Sequence, residues 1–499
     1  MKFINLSIFL LLLGLTAIAQ NQKPNIIILY VDDLGYGDLS CYGASRVKTT
    51  NVDQLAKEGL RFTDAHSTAS TCTPSRFSML TGIYAFRNKA KILPGDAPLL
   101  IDPSIATLPK AMKANGYVTA AIGKWHLGMG NGKIDWNTKI TPGANEIGFD
   151  YSYLLPATAD RVPTVFVENG HVLDLEANDP IEVSYTHKVG NEPTGTENPE
   201  LLKMKADPEH SNTIVNGIGR IGFMSGGKKA RWADENMADS FTTRATRFIR
   251  ENKDHPFFLY FPFNDIHVPR APHNRFANKS SMGPRGDVIL QMDWVIGQII
   301  STLKELGIDN NTLVIFTSDN GPVLDDGYVD QAEELAGDHR PGGPYRGGKY
   351  SMFEAGTRMP FITWWPGTIK PGQSNAVISQ VDLFASLVSL TGGKSNTHAY
   401  DSRNLKDVLL GENTKGRKQL LEEGYVLALR EGKFKYIEPL KSPVNYMSQK
   451  RIEMGLSLQP QLYDINSDPG EQNNLADKYP RQVKKMAKKL NIIRAMTTY

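Results

Sequence analysis

The sequence predicts an α/β protein with a mostly parallel central sheet flanked by helices. A smaller C-terminal α+β subdomain carrying an antiparallel sheet follows it. Three observations predict this. Near-continuous apolar runs, rich in β-branched or aromatic residues, recur at 25–31, 117–122, 256–261 and 312–317, which is how strands buried on both faces read. Segments with apolar residues at helical spacing lie between them, so strands and helices alternate. From about Gly392 the strands become short and follow one another closely, as in an antiparallel unit. The chain has 499 residues, 40% of them hydrophobic, enough for a large core and too many for one small domain.

Taken in order, residues 1–19 read as a secretory leader. Lys2 supplies a positive start, Ile8 to Leu15 an apolar stretch, and Ala17-Ile18-Ala19 a small-x-small cleavage site. That stretch is too short to span a bilayer, and no other segment is long enough. The expectation is an exported, periplasmic chain with no membrane span. Residues 20–391 then form the catalytic region. Its first strand, Asn25 to Val31, exits into Asp32-Asp33-Leu34-Gly35. Asn51 to Lys57 reads as a short helix capped by Asn51 and stopped at Gly59. A second helix is expected from Ser75, just after Cys72-Thr73-Pro74. A helix runs from Thr107 to Asn115 and leads to the strand at 117–122, which exits into Gly123-Lys124-Trp125-His126. Residues 151–230 show weak periodicity and many Gly, Asn and Pro, and read as a loop-rich insertion.

Ala233 to Arg250 is amphipathic, with Met237, Phe241, Ala245 and Phe248 in step. The strand at 256–261 exits into Asn264-Asp265-Ile266-His267. Val288 to Leu306 is a long helix stopped by Gly307. The strand at 312–317 exits into Ser318-Asp319-Asn320-Gly321, and a glycine-rich approach then leads to Lys349. Glu354 and Arg358 read as an internal ion pair. In the subdomain at 392–499, strands are expected at 425–429, 434–437 and 461–465, and a helix from Val483 to Ile493.

Charged residues make up 22% of the chain and the net charge is +3. That composition is globular and the balance too mild to argue for nucleic acid. The two cysteines, Cys41 and Cys72, make no disulfide framework in an exported chain of this size. A single bridge between them is the structural alternative to a chemically special Cys72.

The polar residues sit at strand exits, where open α/β sheets bind ligands. Alone, each has a plainer reading: Asp-Gly is a turn pair, and a lone His or Lys is usually surface. Together they form a set. Asp32, Asp33, Asp319 and Asn320 are hard oxygen donors that suit Ca²⁺ or Mg²⁺ better than zinc. Arg76, Lys124 and Lys349 are cations, and His126 and His267 are proton carriers. A divalent cation with three basic side chains fits a multiply oxygenated anion. Cys72 in its midst is a nucleophile or the precursor of one. Lys124 and His126, two apart, point the same way if the chain stays extended there.

The run Cys72-Thr73-Pro74-Ser75-Arg76 with Leu80-Thr81-Gly82 resembles the signature of type I sulfatases, members of the alkaline-phosphatase superfamily. Gly123-Lys124-Trp125-His126, and Lys349 with Glu354 and Arg358, are further landmarks, and the likeness runs from Asn25 to about Leu475. Ala355 stands where a glycine is common. The resemblance implies an alkaline-phosphatase-like fold and a sulfuric ester hydrolase. It implies that a sulfatase-maturating enzyme oxidises Cys72 to formylglycine (3-oxoalanine). By the same resemblance Asp32, Asp33, Asp319, Asn320 and residue 72 are the Ca²⁺ ligands. Arg76 steadies the formylglycine, Lys124 and Lys349 bind sulfate, and His126 and His267 are the catalytic histidines. The implied mechanism is covalent: the hydrated aldehyde attacks sulfur, His267 protonates the leaving alcohol, and His126 takes the proton of the second hydroxyl.

Thr186-His187-Lys188-Val189-Gly190 and Asn216-Gly217-Ile218-Gly219-Arg220 resemble segments of Bacteroidetes carbohydrate sulfatases. That implies a sulfated saccharide substrate, with an exo-acting galactose or N-acetylgalactosamine sulfatase on host or algal glycans as the leading reading. His187, His339 and Arg340 are the candidate sugar contacts, and Arg161 is a further polar residue in the insertion. Loop residues vary, so a structural role for each stays open. The rival readings are a phosphoester hydrolase on the same scaffold and an inactive glycan-binding homologue.

Overall fold

The computed structural model describes residues 23–393, 399–443 and 451–496. The leader expected at residues 1–19 lies outside them. Five parallel strands form the centre of a ten-stranded sheet, in the spatial order Thr312–Ser318, Asn25–Val31, Phe257–Pro262, Val118–Lys124, Tyr151–Leu155. Antiparallel pairing begins beyond them, with Phe361–Trp364 on one side and short strands at Val167–Glu168 and His171–Val172 on the other.

Residues of the first strand alternate between two cores. Ile26, Ile28 and Tyr30 pack with Phe77, Met79 and Leu80 on one face, while Ile27, Leu29 and Val31 pack with Phe241, Met292 and Ile299 on the other. Both faces are covered, which is why the sequence runs apolar without alternation. The helices Cys72–Thr81 and Asp382–Leu390 lie on the first face, and Thr50–Glu58, Met237–Glu251 and Gly283–Glu305 on the second. Each fully buried Leu or Ile contributes about 1.5–3 kcal/mol.

Several boundaries differ from expectation. Asn51 lies inside its helix and does not cap it. Its backbone N–H and its Nδ2 donate to Asp293 at 3.0 and 2.8 Å, a long-range partner invisible in local sequence. Residues 151–155, expected at the start of the insertion, are a strand of the central sheet. Their Tyr-Ser-Tyr-Leu-Leu sequence lacks a β-branched run, and parallel pairing with Val118–Lys124 overrides that weak preference. The long helix starts at Gly283, five residues before Val288.

The C-terminal unit is a four-stranded antiparallel sheet, Gln419–Glu423, Leu427–Glu431, Phe434–Ile437 and Gln461–Asp464, with the helix Pro480–Ala495 against it. The strand expected at 425–429 starts two residues later and runs Leu427–Glu431, and Gln419–Glu423, a strand not expected, precedes it across the bend at 424–426. A buried charge cluster ties this unit to the main sheet. Lys435 Nζ lies 3.1 Å from both Glu354 and Glu422. The expected Glu354–Arg358 pair is present at 2.6 Å inside that cluster. Asp64 bridges Arg358, Arg430 and His66. Among the described residues no helix is long and apolar enough to cross a membrane.

Burial pushes the Glu423 carboxyl up to about 8. The unfolded carboxyl ionises near pH ~4.3, so stability is lost progressively as pH rises between those values. Glu423→Gln is expected to unfold a few degrees higher than the wild type at pH 9 and with little change at pH 5, read by scanning calorimetry. Equal melting temperatures at both pH values would overturn this.

Candidate active site

The site is built where the central strands end. The first strand passes into Asp32 and Asp33, with Asp33 in the left-handed region at φ 58. The Asp32 N–H donates to the Asp265 carbonyl at 3.1 Å, and the Ile266 N–H to the Asp32 carbonyl at 2.8 Å. Asp319 follows the neighbouring strand, and its N–H donates to Val31 at 3.0 Å. Three strand exits are thus laced together by backbone bonds, and the carboxylates of Asp32, Asp33 and Asp319 converge with oxygens within 4.8 Å of one another. All three residues are buried. Burial and the neighbouring Asp319 hold the Asp32 carboxyl well above the usual range, and burial raises Asp33.

Asp32 Oδ1 and Asn320 Oδ1 are buried with no hydrogen-bond partner. A buried unpaired oxygen is costly, and two of them beside three crowded carboxylates fit a hard cation. The basic side chains surround this group. Arg76 Nε and Nη2 reach Asp319 Oδ2 at 3.0 and 2.6 Å. Lys124, the last residue of its strand, donates to Asp32 Oδ2. Lys349 Nζ donates to Asp33 Oδ2 at 3.0 Å and to Asp326 Oδ2 at 2.9 Å.

Cys72 opens its helix, three residues earlier than the expected start at Ser75, so the N-terminal N–H groups favour negative charge beside it. It is not bridged to Cys41. Burial pushes its thiol up, against the pull of Lys124 and Lys349, so an unmodified thiol stays protonated at neutral pH. Its Sγ lies 3.2 Å from His126 Nδ1. His126 Nε2 lies 2.9 Å from the Leu93 carbonyl, which places that ring's proton on Nε2 and leaves the Nδ1 lone pair facing residue 72.

The chain does not stay extended from Lys124 to His126. Gly123 has φ 134 and His126 φ 53, and a Cβ on Gly123 would lie 1.9 Å from the Pro262 carbonyl oxygen. Lys124 reaches the site from the end of its strand, and His126 from left-handed backbone two residues on. His267 Nδ1 donates to the Val268 carbonyl at 2.7 Å, leaving Nε2 3.8 Å from Asp33 Oδ2. Burial, with Lys349 and Lys124 for His267 and Lys124 for His126, holds both imidazoles well below the usual range.

The expected sugar contacts lie differently. His339 is buried with Nε2 2.8 Å from Asp38 Oδ1, a carboxylate that also takes both Nη atoms of Arg285. Burial alone would raise Asp38, but Arg285 and His339 hold it down, at about 2. His339 therefore serves that ion cluster, a structural use of its ring. His187 is exposed with Nδ1 3.1 Å from Ser184 Oγ and 3.0 Å from Thr186 Oγ1. Arg340 is exposed on the loop whose carbonyl accepts from Gly343 at 2.8 Å. Arg161 Nη1 is held by Asp160 and Thr158. Sequence reasoning missed Asp326, which holds Lys349. It sits in Asp325-Asp326-Gly327, which reads as a turn. It also missed Gln380, which accepts from Tyr30 Oη at 2.6 Å and donates to the Ser318 carbonyl at 2.6 Å.

The sequence matches the family model described as Sulfatase over residues 24–393. It is 51% identical over 481 residues to an N-acetylgalactosamine-6-O-sulfatase of Bacteroides thetaiotaomicron, covering 95% of this chain and 94% of that one. Human arylsulfatase A is 32% identical over 492 residues, covering 93% and 86%. A solved Bacteroides thetaiotaomicron structure, described in connection with the metabolism of multiple glycosaminoglycans, superposes with a TM-score of 0.93 at 51% identity, covering 95% of this chain and all of that one.

Proposed function

Because this chain belongs to the sulfatase family, we propose that it removes the 6-O-sulfate of N-acetylgalactosamine units in sulfated glycosaminoglycans. It is a sulfuric ester hydrolase. The substrate reading rests on the 51% identity over almost the whole chain to a relative of that named specificity. The leader read in residues 1–19 supports an exported, periplasmic enzyme, and the Cys72 signature supports a sulfatase-maturating enzyme as its partner.

Asp32, Asp33, Asp319 and Asn320 would hold Ca²⁺, which supplies positive charge for sulfate oxygens. Residue 72, as formylglycine, supplies in its hydrated form two hydroxyls on one carbon, which neither cysteine nor serine has. The remaining roles belong to the chain's own side chains. Lys124 brings its ammonium group to Asp32 and Lys349 brings its own to Asp33, and the two bind an anionic sulfate. Arg76 fixes Asp319. His126 Nδ1, its tautomer set by Leu93, accepts a proton at residue 72. His267, with its Nδ1–H on the Val268 carbonyl, carries a proton on Nε2 only as imidazolium. Burial and the neighbouring lysines disfavour that form, and the charge of a bound sulfate ester favours it. In that form His267 protonates the departing sugar oxygen. That oxygen is a poor leaving group without the proton.

His267→Ala is expected to lower kcat on a sulfated sugar by about 10²–10⁴-fold. The loss should be much smaller on a nitrophenyl sulfate, whose phenolate leaves unprotonated. Equal losses on both would remove His267 from the acid role. The substrate test is inorganic sulfate release from N-acetylgalactosamine 6-sulfate against the 4-sulfate. Turnover of the 6-sulfate alone supports the reading. Equal turnover refutes the positional assignment, and faster cleavage of a phosphate monoester would favour the phosphoester-hydrolase rival.

A further inference from the structure

A cavity of about 670 Å³ opens beside the nucleophile. Thr71, which precedes Cys72, lines one side, and Tyr350, which follows Lys349, lines another. A third side is the segment from Lys89 to Ile92, which leads into Leu93, the carbonyl partner of His126. The cavity therefore adjoins the chain neighbours of three site residues, and it is larger than a sulfate group requires. Its rim carries two exposed lysines, Lys89 and Lys91, with no carboxylate of the described residues in salt-bridge reach of either. Tyr425, on the turn between the first two C-terminal strands, is 44% exposed at its mouth. Ser70, which also lines it, has a buried hydroxyl with no partner. The acid lining it, Glu423, is buried and accepts the Phe86 N–H at 2.8 Å, and burial raises its pKa.

Resting on the substrate reading above, we propose that this cavity is a subsite for the sugar linked to the sulfated one, and that it selects an anionic sugar. Lys89 and Lys91 meet the acid group, Tyr425 offers an aromatic face to the ring, and Ser70 offers an unused hydroxyl. Tyr rings present large amphipathic contact area at little entropy cost. The enzyme thus reads a disaccharide end rather than one sulfated sugar.

The test uses the full chain carrying Cys72→Ser, which binds without turnover. Calorimetry compares three probes: N-acetylgalactosamine 6-sulfate, the same sugar linked to glucuronate, and the same sugar linked to glucose. The glucuronate disaccharide is expected to bind about fivefold tighter than the glucose disaccharide, and both tighter than the monosaccharide. Adding K89Q and K91Q should erase the difference between the disaccharides, and adding Y425A should shrink the gain of both over the monosaccharide. Equal affinity for all three probes overturns the proposal, as does binding of none, or a K89Q/K91Q loss that is the same for all three. Failure of the wild type to release sulfate from the 6-sulfate overturns the substrate reading instead. The probe affinities still decide the subsite in that case.

Discussion

Cys72→Ser is expected to lower kcat by about 10⁵-fold with little change in melting temperature. Serine fits the space of a residue that is 2% exposed at the first turn of its helix. Its hydroxyl can keep the hydrogen bond to His126 Nδ1. What it lacks is a second hydroxyl on the same carbon. The loss should therefore appear in kcat while the fold and the affinity for a sulfated sugar survive. The companion measurement is the intact mass of the peptide containing residue 72, from protein made with a working maturase. Conversion makes that peptide about 18 Da lighter, the aldehyde replacing the thiol as this form of covalent catalysis requires. A fully active enzyme carrying unmodified cysteine would refute the formylglycine reading, and so would a serine variant with more than a few per cent of wild-type activity.

Removing divalent cations with a chelator is expected to cut activity by more than about 100-fold, with recovery on adding Ca²⁺. Four buried carboxylates, Asp32, Asp33, Asp319 and Asp326, face three basic side chains, Arg76, Lys124 and Lys349. A divalent cation reverses that deficit to one positive charge, which a sulfate monoester then neutralises. Hard oxygen donors favour Ca²⁺, and Asp32 Oδ1 and Asn320 Oδ1 accept no hydrogen bond. Ca²⁺ at about 100 times its dissociation constant adds roughly 2.7 kcal/mol to stability, so melting temperature should fall with chelation as well. Asp319→Asn should weaken Ca²⁺ binding and also loosen Arg76, which spends Nε and Nη2 on that carboxylate. Full activity in protein shown to be metal-free, or recovery with zinc and not calcium, would overturn the assignment.

The parallel core was legible because a strand covered on both faces must be apolar throughout, and 25–31, 256–261 and 312–317 are. Tyr151–Leu155 was not, since its place depends on pairing with a strand about thirty residues earlier, and nothing within it signals that partner. The same limit hid Asp326. A turn aspartate carries no mark of the lysine it will meet, and only the fold brings Lys349 to 2.9 Å from it. His339 shows the converse. A histidine before a glycine-rich loop reads as available for substrate, yet Asp38, 301 positions away, takes it.

The sequence alone determined the fold class and the sulfatase family, because strand periodicity is local and the Cys72 signature is a contiguous string. The tertiary structure decided which way each side chain faces. It fixed the His126 tautomer through Leu93, turned His126 and Asp33 through left-handed backbone, left two oxygens unpaired among three carboxylates, and set a lysine-rimmed cavity beside residue 72. Those outcomes depend on distances between strand exits hundreds of residues apart, which chain order does not encode locally and close packing of the sheet does.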